Sequence, residues 1–111
     1  MYRLDETQTA LITKLHQVAD TSIAPAAADV DEKSRFPRES VGALAKAGFL
    51  GLTLPAEFGG LAGSMRLACA ALEEVAQRCA STAMVYLMHL CGCACYLAQP
   101  RGNEQLLRRV A

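Results

Sequence analysis

The 111-residue sequence predicts an all-α fold, an up-down, orthogonal-type bundle of about five helices with one long Gly/Pro-containing connection. Three observations predict it. Apolar residues recur at helical spacing in several separate stretches. Five of the eight glycines fall in one segment, residues 48–63, together with Pro55. No charged residue occurs from position 79 to 100, where CASTAMVYLMHLCGCACYLAQP is dominated by helix-favouring Ala, Leu and Met. One domain covers residues 1–111.

Asp5 caps the first helix, with Gln8 three residues on as its capping-box partner. Leu11, Ile12, Leu15, Val18 and Ala19 follow at helical spacing, and Ile23 and Ala24 extend that face. Pro25 either kinks this helix or starts a second segment running through Val30. Asp29 to Arg35 is charged and turns at the surface. Phe36-Pro37 opens a short helix, with Pro37 at its first position and Val41, Leu44, Ala45 and Ala47 along one side. Gly48 ends it at the left-handed cap position.

The stretch from Phe49 to Gly63 contains Pro55, Gly51, Gly59 and Gly60, so it is not helical throughout. Leu50, Leu52 and Leu54 alternate like a short extended piece, and the apolar content makes the segment pack against the helices. Ser64 caps the next helix, which runs to about Arg78. Met65, Cys69, Leu72, Val75, Ala76 and Cys79 form its expected buried stripe, with Arg66, Glu73, Glu74, Gln77 and Arg78 off it. The charge-free helix starts near Ser81. A last short helix follows Gly102, with Leu106, Leu107 and Val110 apolar and Arg108 and Arg109 near its C-terminus, where the dipole favours them.

A charge-free helix of this length is about 30 Å long and shows no charged face to water. It is expected to be buried on most sides. A chain of 111 residues does not easily supply that cover, so the chain is expected to be a piece of something larger, or a protomer that buries this helix against a partner. The length would also span a bilayer. Ser81, Thr82, His89, Gly92 and Gln99 within it argue for a buried globular helix and against a membrane.

Composition excludes other classes. The net charge is +0 and the pI is near 6.7, which leaves no electrostatic footprint for nucleic acid. Trp is absent and aromatics are 5%, too few for a base-stacking platform. The five cysteines, an odd number with no basic-then-apolar leader, fit reduced thiols in the cytoplasm.

Candidate chemistry is sparse. Cys91, Cys93 and Cys95 resemble a metal comb, but residues two apart on a helix diverge by about 200°, so the three do not converge on one ion. Cys91 and Cys95 share a face, as do His89 and Cys93. No metal is expected. His89 is either a core histidine bonded to a neighbour or a residue facing a cofactor or substrate. His16 belongs to the surface of the first helix. Glu73 and Glu74 are adjacent, diverge by about 100°, and do not form a facing acid/base pair. Gly59-Gly60-Leu61-Ala62-Gly63 precedes a helix and is either a phosphate cradle or a tight turn; it lacks dinucleotide spacing. Spacing and composition show no catalytic constellation.

Two segments carry a resemblance. FPRESVGALAKAGFLGLTLPAEFGG (36–60) and LEEVAQRCASTAMVYLMH (72–89) together resemble the N-terminal helical domain of the acyl-CoA dehydrogenases. The shared pattern is Phe-Pro, a short helix, Gly-Phe-Leu-Gly, Pro-x-Glu-Phe-Gly-Gly, Leu-Glu-Glu-Val-Ala, then Cys-Ala-Ser-Thr-Ala opening an apolar helix. Ile23-Ala24-Pro25 and Asn103-Glu104-Gln105 extend it over nearly the whole chain.

The resemblance implies a flavin-dependent oxidoreductase acting on an acyl-CoA thioester, with FAD held mainly by a middle β domain and a C-terminal helical bundle. Neither is expected within residues 1–111, and the family's catalytic glutamate lies in the C-terminal bundle in most branches, so no catalytic residue is assigned here. The expected partners are the acyl-CoA substrate, the rest of the parent enzyme and further copies of it in a homo-oligomer. The apolar helix would line the deep end of the acyl pocket through Ala83, Leu87 and Cys91, with Met84 and Met88 beside them. Ordinary core packing is the alternative for each. A flavin monooxygenase of the same fold is the second reading, with His89 beside the flavin. A non-enzymatic helical module that pairs through its apolar helix is the third.

Overall fold

In the computed structural model, which describes residues 2–111, the first helix α1 spans Glu6–Val18. Its capping box is formed: the Asp5 carboxylate accepts from the Gln8 amide at 2.8 Å, and the Gln8 side chain accepts from the Asp5 amide. A π-turn, Ala19–Ile23, and helix α2, Ala24–Glu32, continue it without a break. Pro25 has no N–H and would collide with the carbonyl four residues back. Widening the preceding turn relieves that collision, and the Ala24 amide reaches back five residues to the Ala19 carbonyl. The rod from Glu6 to Glu32 is about 40 Å long at helical rise, which accounts for the 41 Å long axis of the molecule.

The rod buries Leu15, Ala19, Ile23 and Val30. Ala24, expected on that face, is exposed, because the π-turn changes the phase just before it. The charged turn is shorter than expected, confined to Lys33 and Ser34. Arg35 then ties α2 to helix α3, Arg38–Lys46, donating to Asp29 at 2.6 Å and to Glu39. This guanidinium, with help from the Glu39 amide, holds the Glu39 carboxyl down at about 2. Pro37 sits one residue earlier than expected, as the cap of α3. The inner face of α3 is Ser40 and Leu44, with Ala45 exposed. Gly48 takes the left-handed conformation, φ 85°, that ends the helix.

No extended piece forms at Leu50, Leu52 and Leu54. Two 3-10 turns, Phe49–Gly51 and Ala56–Phe58, curl the segment so that Leu52 and Leu54 both point inward. Gly60 is required where the loop closes on itself, since a Cβ there would lie 2.1 Å from the Leu54 carbonyl oxygen.

Helix α4, Met65–Ala76, is capped by the Ser64 hydroxyl accepting from Leu67 at 3.2 Å. Its buried face is Leu67, Ala68, Ala70, Ala71 and Val75. The expected stripe is therefore wrong at Met65, Cys69 and Ala76, which are exposed. The helix is apolar on two sides, and Ala68, Ala70 and Ala71 join Leu67 and Val75 on the buried face while Met65 stays outside, small residues that let the neighbouring backbones come close. Glu74 on α4 receives His16 Nδ1 at 2.7 Å and Arg78 at 2.8 Å, and Arg78 also reaches Asp20 at 2.9 Å. That cluster fastens the π-turn to α4.

Helix α5 is Ala80–Ala98 and helix α6 is Glu104–Val110. The expectation that α5 is covered on most sides is not met within this chain. Only Thr82, Ala83, Tyr86, Leu90 and Cys93 are buried, while Met84, Met88 and Tyr96 are 58%, 63% and 46% exposed. Leu107 of α6 joins Leu54, Phe58 and Cys93 in a small second cluster beside the main core. There is no strand among the described residues.

Candidate functional site

Thr82, Tyr86 and His89 of α5 turn inward, while Met84, Leu87 and Met88 turn outward. Thr82 is fully buried. The Tyr86 hydroxyl donates to the Phe49 carbonyl at 2.7 Å. His89 places Nε2 2.8 Å from the Leu50 carbonyl and 3.4 Å from the Cys93 sulfur. A bond to a carbonyl requires Nε2 to carry the proton, so the imidazole donates to Leu50 and the sulfur is the secondary contact. Burial pushes the Tyr86 phenol and the Cys93 thiol above their ordinary pKa values, the phenol further because of the nearby Cys93. Tyr86 and His89 hold the 3-10 turn against α5.

On its other flank α5 lies beside α4 and leaves an apolar groove. One recess, of about 150 Å³, lies among Thr53, Met65, Ala68, Leu72, Leu87, Leu90, Cys91, Ala94 and Leu97. A shallower depression continues from it along Leu72, Ala76, Ala80, Ala83, Met84 and Leu87, with Glu73 at the rim. Leu72 and Leu87 border both, so they stand at the waist between them. Apart from the Thr53 hydroxyl, the Cys91 thiol and Glu73 at the rim, the wall is hydrocarbon and thioether, suited to an alkyl chain, whose burial contributes ~0.8 kcal/mol per CH₂. A larger concavity, about 760 Å³, lies elsewhere, between the α1 rod and α3. It carries Arg38, Glu39 and Lys46 and offers no comparable apolar wall.

The structure brings Ala83, Met84, Leu87 and Cys91 to this groove. Met88 lies next to it on the exposed surface and is not part of the lining. His89 is about 200° around the helix from Leu87, against the 3-10 turn. Thr53 and Leu72 are wall residues that spacing did not single out. Thr53 lies in a loop without periodicity, and Leu72 was assigned to the core face of α4. Cys91 and Cys95 are exposed and Cys93 is buried, as residues two apart on a helix must diverge. Among the described residues no three His, Cys, Asp or Glu side chains come together as a metal site.

The glycine-rich loop is a tight turn. The amides of Gly59, Gly60, Leu61, Ala62 and Gly63 all donate to carbonyls of residues 51–56. None of these five amides is left to receive a phosphate, and His89 Nε2 is committed to the Leu50 carbonyl.

Comparison with known proteins gives this arrangement a context. The family profile described as Acyl-CoA dehydrogenase, N-terminal domain, matches residues 5–110. A probable acyl-CoA dehydrogenase of Mycobacterium leprae is 34% identical over 99% of this chain and 28% of its own length. The cyclohex-1-ene-1-carbonyl-CoA dehydrogenase of Geobacter metallireducens is 35% identical over 100% of this chain and 30% of its own. The 3-sulfinopropanoyl-CoA desulfinase of Variovorax paradoxus is 34% identical over 96% and 27%. The chain spans less than a third of the length of these curated relatives. The helical order, the capped termini and the profile match across residues 5–110 place the chain in the acyl-CoA dehydrogenase family, through that family's N-terminal domain.

Proposed function

We propose that these residues form the acyl-pocket wall of a flavin-dependent acyl-CoA dehydrogenase, which removes hydrogens from the α and β carbons of an acyl thioester. The observation that carries this reading is the uncharged groove between α4 and α5, with Ala83, Leu87 and Cys91 on one flank. Small residues at 83 and 91 leave room for a chain or a branch, and Leu87 stands between them. No catalytic residue is assigned to this chain: apart from Glu73 at the rim, no carboxylate lines the groove. The base, the flavin-binding groups and the remaining walls belong to the additional length that the relatives have. FAD would supply the hydride acceptor, and no step through it is derived from these residues.

Helix α5 is long and apolar enough to cross a membrane by length and composition. Its buried Thr82 and the bonds of Tyr86 and His89 to the 3-10 turn support the reading of a protein-covered helix; that the parent is a cytoplasmic homo-oligomer rests on the family alone. Anaerobic titration of the full-length parent with acyl-CoA thioesters of graded length tests the function. Bleaching of the flavin by acyl-CoA supports it. Oxygen-dependent turnover with reduced flavin and no bleaching would instead favour a monooxygenase. A flavin-free parent that only self-associates would favour a helical interaction module.

A further inference from the structure

We infer that Thr53 is a specificity residue of the groove, and that the acyl thioester it selects carries a neutral oxygen, a hydroxyl or a carbonyl, on the part of its tail that fills the recess between α4 and α5. The inference rests on the reading of the groove as an acyl pocket and names a substrate class for it.

The Thr53 hydroxyl is buried and has no hydrogen-bond partner among the protein groups. Buried polar atoms are rarely left so, because the water they gave up is not replaced. The neighbouring backbone is already engaged. The Phe49 carbonyl, four residues back, accepts from the Tyr86 phenol and from the Leu52 amide. The Gly51 carbonyl accepts from the amides of Leu54 and Leu61. A carbonyl oxygen has two lone pairs, so both of these are full. Ser40 and Thr82 also bury unpartnered hydroxyls, but they lie inside helices and neither borders the groove. Thr53 belongs to no helix and borders the recess. Rotation about its Cα–Cβ bond moves the hydroxyl among staggered settings and leaves the backbone in place. Its partner can therefore come from whatever fills the recess.

The recess describes that occupant. Its volume of about 150 Å³ suits a group the size of benzene. Every other side chain bordering it ends in hydrocarbon, a thioether or a thiol. The occupant is thus mostly carbon, with a polar atom where it meets Thr53. No charged side chain borders the recess, so a carboxylate or ammonium on the tail would be buried without a counter-charge. A neutral oxygen carries no such penalty. A threonine hydroxyl both donates and accepts, so it serves a hydroxyl and a carbonyl alike.

The test begins with Thr53→Val in the 111-residue chain. Valine keeps the branched shape and removes the unpartnered hydroxyl, so the thermal midpoint should rise by about 4 °C. A midpoint unchanged or lowered would mean that the hydroxyl is already satisfied within the chain, and would overturn the proposal. The full-length parent is then given acyl-CoA thioesters from hexanoyl to dodecanoyl. Each is paired with derivatives hydroxylated or oxidised to a ketone at successive carbons beyond the middle of the chain. In the best-used pair the oxygenated tail should be favoured about fivefold in kcat/KM, through KM, because the contact is remote from the reacting carbons. Thr53→Val should abolish the preference and Thr53→Ser should keep it. Preference for the plain tail in every pair would overturn the proposal, as would a preference that Thr53→Val leaves intact. Thermal stabilisation of the parent by the same pairs reads the preference without turnover. Absence of flavin bleaching by every thioester therefore sinks the dehydrogenase reading separately, and a parent that no thioester stabilises sinks both.

Discussion

Tyr86 of α5 donates its phenol to the carbonyl of Phe49, 2.7 Å away and shut off from water, so that the long apolar helix and the 3-10 turn after α3 form one unit. The Phe49 carbonyl also accepts from the Leu52 amide at 3.2 Å. Tyr86→Phe therefore leaves that carbonyl partnered and should cost about 1 kcal/mol, read by urea unfolding. A loss above about 3 kcal/mol would show that the hydroxyl organises more than this contact.

The same phenol predicts an alkaline limit. Burial raises its folded pKa above the ordinary value of 10.0. The linked stability is thus complete below pH about 10 and is lost as pH rises towards the folded value. Spectrophotometric titration, compared with that of Tyr86→Phe, should find that the Tyr86 phenol resists ionisation until the chain unfolds. Ionisation of Tyr86 in the folded state at the ordinary phenol value would contradict the buried placement.

At the acid end, Arg35 lowers Glu39 from an ordinary 4.5 to about 2. A depressed carboxylate contributes stability above its unfolded pKa and loses it as pH falls through the folded one. Glu39→Gln should therefore narrow the gap between stability at pH 6 and at pH 2, with the wild-type loss concentrated between about 4.5 and 2. The pair is exposed and the effect is small and salt-sensitive. Unchanged pH dependence in the variant would remove Glu39 from the account.

Leucines should divide sharply. Leu44 is fully buried and Leu87 is 38% exposed. In the 111-residue chain, Leu44→Ala should cost about 2–5 kcal/mol and Leu87→Ala less than about 1. In the full-length parent, Leu87→Ala should shift the preferred acyl length towards longer or bulkier thioesters. Equal destabilisation of the short chain by both would mean that Leu87 packs in its core.

Thiol chemistry checks the orientation of α5. In the folded chain Cys69, Cys91 and Cys95 should react rapidly with a chromogenic disulfide, and Cys79 and Cys93 only on unfolding. Fast reaction of all five would mean that α5 is not held against the core.

Locally encoded features were legible in the sequence. The Asp5–Gln8 box, the Ser64 cap, the Gly48 stop and the irregular Pro55-containing loop each depend on a few neighbouring residues, and each formed. The facing of α4 and α5 was not legible in the same way. Met65 and Leu72 outweigh Ala68 and Ala71 in hydrophobicity, yet close approach to α1 and α5 selects the alanines. On α5 there is no charge to mark the water side, Tyr86 and His89 satisfy their polar groups inward, and Thr82 is buried with its hydroxyl unpartnered. Family resemblance, not periodicity, pointed to Ala83, Leu87 and Cys91. The coordinates add Thr53 and Leu72 as their neighbours.

The π-turn at Ala19–Ile23 amounts to one surplus residue stored in an otherwise regular rod. Removing a residue there lets the turn tighten to ordinary α-helix while Leu15 upstream and Val30 downstream keep facing the same neighbours. The same deletion anywhere else in the rod would swing one of them round by about 100°. The segment is thus the one slot in the rod where sequence length can drift without scrambling the core, provided Pro25 is replaced when the turn narrows.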